Sequence, residues 1–179
     1  MDDPQKKNKF NIFAIIALLV ALIAFASAQE SINSWTYVTL HSNFSTANTT
    51  SVNVGLNFTP QANKNYDVQV YYMVRSPVLE TVAPRPGLNW SSGLIDGVAF
   101  IQSPALQTVV QTNCNINTTC IAPIGGLDSS LSSYGGTITS IFQSGSNSTG
   151  KIEVTLASET EGTQVMMMKG SYLKYRVYN

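Results

Sequence analysis

Ser51-Val52-Asn53-Val54-Gly55-Leu56-Asn57-Phe58 alternates without a slip. In an extended chain Val52, Val54, Leu56 and Phe58 share one face, and Ser51, Asn53, Gly55 and Asn57 share the other. That is the pattern of a half-buried β-strand. Tyr66 to Arg75 repeats it, with Tyr66, Val68, Val70, Tyr72 and Val74 on one side. Between the two, Thr59-Pro60-Gln61-Ala62-Asn63-Lys64-Asn65 supplies turn chemistry. Lys151 to Ala157 groups Ile152, Val154 and Leu156, and Thr163 to Tyr178 reads as a long strand bent near Gly170. Trp35–His41, Gly97–Gln102, Gln107–Gln111 and Thr137–Phe142 are weaker strand candidates. No capped amphipathic helix follows residue 30. Short strands separated by Gly, Pro, Asn and Ser predict an all-β fold, a single antiparallel β-sandwich of jelly-roll-like form. Pro77 to Pro86, with Pro84-Arg85-Pro86-Gly87, reads as a long loop.

One hydrophobic helix is expected ahead of that sandwich. Phe10 to Ala28 is a continuous apolar run behind Lys6, Lys7 and Lys9, ending in Ala26-Ser27-Ala28 before Gln29 and Glu30. A basic start, an apolar middle and a small-x-small end are the parts of a secretory signal peptide. The run is also about long enough to span a bilayer uncleaved as an anchor with its N-terminus inside. Both readings place residues 1–29 as the leader or membrane segment (residues 10–28 entering the membrane if uncleaved). Both make residues 30–179 an exported, extracytoplasmic β-sandwich ectodomain.

Charge is sparse and balanced: 10 Lys and Arg against 10 Asp and Glu over 179 residues. From Glu30 onward eight acids face seven bases, a net of one negative charge. No basic face is large enough to neutralise several phosphates, so nucleic acid is not expected as a partner. Cys114 and Cys120 sit six apart, and in an oxidising compartment they read as a small disulfide loop. With His41 the only histidine and no second cysteine pair, neither a metal nor another cofactor is expected. Six Asn-x-Ser/Thr sequons, at Asn43, Asn48, Asn57, Asn89, Asn117 and Asn147, are candidate N-glycosylation sites; the same residues also suit a plain Asn/Thr-rich β-surface.

Catalytic constellations are missing: no Gly-x-Ser-x-Gly elbow, no HExxH and no phosphate-binding Gly loop. His41 has no partner in the sequence, Asp96-Gly97 reads as a turn, and Glu159 and Glu161 read as a solvated loop. Met166-Met167-Met168, in a strand, must place at least one Met on each face. Aromatics are the better hint: Trp35, Tyr37, Trp90, Tyr134, Tyr172, Tyr175 and Tyr178. Trp90, within Gly87-Leu88-Asn89-Trp90-Ser91-Ser92-Gly93, is expected in a loop. There it is the candidate ligand contact, or else a cover over one end of the sandwich.

Three stretches carry a resemblance. The first is Pro84-Arg85-Pro86-Gly87-Leu88-Asn89-Trp90 with Gly93-Leu94-Ile95-Asp96-Gly97-Val98-Ala99. The second is Ala122-Pro123-Ile124-Gly125-Gly126-Leu127. The third is Gly150-Lys151-Ile152-Glu153-Val154, then Ala157-Ser158-Glu159-Thr160-Glu161-Gly162-Thr163 and Lys169-Gly170-Ser171-Tyr172-Leu173-Lys174-Tyr175-Arg176. In this order they resemble a β-rich domain of tailed-phage virion proteins, fibre-like or structural, over roughly residues 35–176. The resemblance implies a non-enzymatic virion structural or attachment module, with a homotrimer as one suggested assembly, and it brings no ligand residues with it. The leader, cysteine pair and sequons depart from such proteins. They point to a membrane-containing virus, a virus of a eukaryotic host, or a cell-surface protein sharing the domain. Two functions follow: a membrane-associated minor capsid, envelope or host-attachment protein that contacts other virion proteins, or a secreted or cell-surface carbohydrate-binding β-sandwich that contacts glycans.

Overall fold

The computed structural model describes residues 14–24, 34–76, 84–90, 94–102, 114–115, 120–121, 133–147 and 150–178. Contacts divide the chain into two units, Met1–Ser34 and Trp35–Asn179. In the first, residues 14–24 form a helix that is apolar on every side, with Ile15, Leu18, Val20 and Ile23 each more than half exposed. Eleven residues at a 1.5 Å rise cover about 16 Å. Among the described residues no helix is long and apolar enough to cross a membrane. The flanks of the apolar run lie outside the described residues.

Among the described residues the second unit is built from strands and their connections. These are β1 (Thr36–Thr39), β2 (Phe44–Thr46), β3 (Val52–Phe58), β4 (Asn65–Arg75), β5 (Pro84–Trp90), β6 (Leu94–Gln102), β7 (Cys114–Asn115), β8 (Cys120–Ile121), β9 (Ser133–Ser144), β10 (Ile152–Ser158), β11 (Val165–Met167) and β12 (Tyr172–Tyr178). The larger sheet runs β1-β12-β4-β9-β6-β7, with β11 and β2 joined beside β4; the smaller runs β3-β10-β5-β8. Their pairing follows one rule. Strand β1 pairs β12, β2 pairs β11, β3 pairs β10, β4 pairs β9, β5 pairs β8 and β6 pairs β7, always antiparallel. Each strand therefore pairs with its mirror image along the chain. The domain is one long antiparallel ribbon, with its tip at β6 and β7, rolled so that from β2 onward successive stretches fall in alternate sheets. That winding is a jelly roll.

The expected faces are buried as read. Val54, Leu56 and Phe58 of β3, and Tyr66, Val68, Val70, Tyr72 and Val74 of β4, all enter the core, as do Ile152, Val154 and Leu156 of β10. Burial of each such side chain contributes roughly 1.5–3 kcal/mol. Phe58 of the smaller sheet stacks on Tyr175 of the larger at 3.9 Å, and Tyr66 stacks on Phe142 at 4.9 Å. These rings join the layers at one end. In β3 the register against β10 shifts between Glu153 and Thr155, and Gly55 takes φ +92° at that bulge with open space where a Cβ would sit.

Several expectations are corrected. The expected loop from Pro77 to Pro86 is corrected at its end, because Pro84-Arg85-Pro86-Gly87 opens β5, paired along its length with β10, while residues 77–83 lie outside the described residues. On its other side β5 meets β8 at Gly87 and Leu88 among the described residues. Asp96-Gly97 is not a turn but lies inside β6, opposite Gln143 and Phe142. The strand expected from Thr163 to Tyr178 is two strands. They are broken at Gly170 (φ +91°), and each pairs a different part of β4. The candidate strand at Gln107–Gln111 lies outside the described residues. Cys114 and Cys120 begin β7 and β8, which belong to different sheets. The structure describes no disulfide between them, and their side chains lie outside the described residues.

Candidate functional site

Trp90 is the clearest correction among the candidate residues. It closes β5 rather than sitting in a loop, stands opposite Ile152, and is 5% exposed. Its ring covers the end of the core, the second of its two expected roles, so it offers no face to a sugar, and among the described residues its indole N–H has no partner. Tyr134 is buried as well, its hydroxyl donating to the Pro84 carbonyl at 2.9 Å. Burial pushes the Tyr134 hydroxyl pKa far up, and the nearby Tyr72 and Glu159 push the same way. Tyr66 is raised for the same main reason, desolvation, although the Gln61 amide donating to its hydroxyl at 2.6 Å pulls it back.

Of the sequon asparagines, Asn43, Asn48 and Asn147 are exposed. Asn57 and Asn89 are half-buried on the outer face of the smaller sheet. Asn89 and Asn53 both donate to the Glu153 carboxylate, at 3.4 and 2.7 Å. Asn117 lies outside the described residues. His41 is exposed. Glu159 approaches Arg85 at 3.9 Å, and Glu161 accepts from the Thr49 hydroxyl at 2.9 Å, both in the connection after β10. Met167 is in the core while Met166 and Met168 are half-buried. Among the described residues no group of three or more His, Cys, Asp or Glu is placed to hold a metal ion.

Trp35, Tyr37 and Tyr172 gather with Tyr71 on the outer face of the larger sheet, whereas Tyr175 points inward onto Phe58. Alternation sends Tyr172, Lys174 and Arg176 of β12, and Asp67, Gln69, Tyr71 and Met73 of β4, away from the core. Tyr37 of β1 lies 5.9 Å from Tyr172, which stacks on Tyr71 at 4.9 Å. Lys174 sits 4.4 Å over the Trp35 ring and 5.4 Å from Tyr71, and the Arg176 guanidinium lies 4.9 Å from Trp35. Arg176 also donates to one oxygen of buried Asp67 from Nη2 at 2.8 Å and from Nε at 3.1 Å. These cations are thus held against rings and a carboxylate. Sequence reading flagged Trp35, Tyr37 and Tyr172 but not Tyr71, Gln69 or Phe100, which become neighbours through pairing alone.

Beside this ladder the face drops. The outward residues of β9 are Ser133, Gly135, Thr137 and Thr139, all small, before Ile141 rises at 51% exposure. Taller side chains stand on either side: Tyr71 and Met73 on β4, Phe100 and Gln102 on β6. The result is a trough along β9. At Tyr71, Met73, Gly135 and Thr137 it deepens into a cleft of about 340 Å³ that reaches Tyr172. No sequon asparagine occupies an outward position of β1, β12, β4, β9 or β6 among the described residues.

No family model matches the chain, and no curated protein matches it in sequence. Solved structures give a coarse likeness. The crystal structure of the infectious bursal disease virus VP2 subviral particle is 11% identical, covering 80% of this chain and 39% of that one, with a TM-score of 0.22. The infectious bursal disease virus Gt strain structure is 12% identical over 80% and 42%, with a TM-score of 0.22. The Gx strain structure is 9% identical over 80% and 40%, with a TM-score of 0.21. The chain thus spans about two fifths of the chains it is similar to. All three structures are of infectious bursal disease virus and none is of a tailed-phage protein.

Proposed function

We propose that this chain is a non-enzymatic structural protein of a virion, a jelly-roll domain set beyond a membrane and used in the particle's outer architecture or in host attachment. One observation carries the reading: the mirror-image strand pairing, which makes the domain a single rolled ribbon. Double-sheet jelly rolls are a recurrent architecture of capsid shells. A fold does not by itself assign a function, so surface chemistry has to agree. It does, in that the outer face of the larger sheet is aromatic and its cations are already engaged, which suits contact with a partner surface.

The membrane part rests on the helix at residues 14–24, whose side chains are apolar all round and exposed. Such a helix is stable when buried in protein or lipid. Continued through the apolar run from Phe10 to Ala28, it would approach the bilayer's thickness. The test is quantitative mass spectrometry of purified virions, with N-terminal peptide mapping. The reading expects many copies per particle, lost with lipid extraction if the chain still begins at Met1 and retained on the particle if it begins at Gln29. Absence from purified particles overturns the structural role. Sedimentation of the solubilised protein reports whether copies associate in threes.

A further inference from the structure

We propose that the trough along β9 is a binding site for a neutral, linear oligosaccharide. Two successive rungs of the larger sheet carry the chemistry. In one, Thr139 lies between Gln69 of β4 and Phe100 of β6; in the next, Thr137 lies between Tyr71 of β4 and Gln102 of β6. Each rung therefore offers one aromatic wall, one amide wall and a hydroxyl floor. Aromatic and amide change sides from one rung to the next. Sugars need this combination, because their C–H faces pack on rings and their hydroxyls exchange hydrogen bonds with amides and hydroxyls.

Charge and shape support the same occupant. Among the described residues no charged side chain faces these two rungs; Arg75 stands two rungs beyond Thr137, opposite Ser133. Asp67 and Arg176 are spent on each other a rung away, and Lys174 lies over Trp35 and Tyr71 on the far side of β4. An anionic glycan or a charged peptide finds no counter-charge there. The polar side chains are only loosely held, with the Thr137 hydroxyl 3.4 Å from the Gln102 side-chain oxygen and the Tyr71 hydroxyl 3.4 Å from that of Gln69. Such long contacts are readily exchanged for a ligand's hydroxyls. From Gly135 to Thr139 the floor runs about 13 Å, and over Thr137 and Thr139 two strand spacings set the β4 and β6 walls about 9.5 Å apart. That is a channel for a chain rather than a pit for one small molecule. Gly135 keeps the floor low where the trough opens into the adjoining cleft of about 340 Å³ lined by Tyr71, Met73, Thr137 and Tyr172, which is within the size range of ligand clefts. Among the described residues no sequon asparagine sits on an outward position of β4, β9 or β6.

The site goes beyond the virion reading, and the two fail separately. Particles containing a protein that binds no sugar would keep the structural role and remove this site. Isothermal titration calorimetry of the full chain with cellohexaose, maltohexaose and chitohexaose, and with a heparin hexasaccharide as anionic control, tests it. At least one neutral hexamer should bind in the high-micromolar to millimolar range. Phe100→Ala should weaken that binding about tenfold. Thr137→Tyr fills the floor from an outward position that packs on nothing in the core, and it should abolish binding while leaving thermal unfolding unchanged. Binding of none of the neutral hexamers, binding of the heparin hexasaccharide alone, or binding that survives Thr137→Tyr overturns the proposal.

Discussion

Gly97→Ala tests the register at the heart of the larger sheet. A Cβ on Gly97 would lie 2.5 Å from the Phe142 Cβ and 2.9 Å from the Ile141 carbonyl oxygen, where ordinary contact begins at 3.4 Å. Phe142 cannot yield easily. It is 2% exposed, stacked on Tyr66, and within 6.5 Å of Phe58 across the sandwich. Either that aromatic cluster shifts or β6 lifts from β9. Overpacking of this kind costs about 1–3 kcal/mol. The stiffer unfolded chain offsets roughly 0.4–1 kcal/mol of it. The net loss is about 1–2 kcal/mol, or a Tm lower by roughly 2–8 °C for a domain of this size. Thermal unfolding followed by circular dichroism reads it directly. A Tm that is unchanged or raised would refute the reasoning. It would mean that Asp96-Gly97 forms the turn its dipeptide suggests and that β6 does not pack on Phe142.

Leu156→Ala, at a fully buried position between the sheets, should cost about 2–5 kcal/mol in urea unfolding, whereas Glu161→Ala on the exposed loop should cost under about 1 kcal/mol. Stability should fall at high pH. Tyr66 and Tyr134 have folded-state pKa values raised by burial, so their contribution is complete below about pH 10 and drains away as pH climbs toward the raised values. Tyr134→Phe should lower stability at pH 7 by about 1 kcal/mol, through the lost bond to Pro84, yet flatten the alkaline decline measured in a pH series of melts. Peptide mapping without reductant should recover Cys114 and Cys120 in one cross-linked species. Reduction should then cost about 2 kcal/mol in the chain-entropy model, and recovery of two free thiols would remove the pairing.

The local pattern carried a good deal. Alternation over Val52–Phe58 and Tyr66–Val74 told which side chains enter the core, because a strand's period of two depends only on its own backbone. Glu159 and Glu161 were legible as a loop. Where residues sat in mixed company the local signal misled. Pro84-Arg85-Pro86-Gly87 looks like a loop until Leu156, seventy residues further on, pairs with Pro86 and makes it a strand. Trp90 looked available until the same pairing turned it onto Ile152 and closed it off.

The candidate site was least legible of all. Gln69, Phe100, Gln102 and Thr137 have nothing in common in the sequence, and they meet because β4 and β6 both pair with β9. Periodicity alone determined that the chain forms strands and which of their faces are apolar, since those follow from side-chain geometry one residue at a time. Which strand lies beside which was decided in the folded ribbon, where hydrogen bonds between residues far apart in the chain pair each strand with its mirror image. Those pairings, absent from any local window, set the tall side chains of β4 and β6 on either side of a low β9.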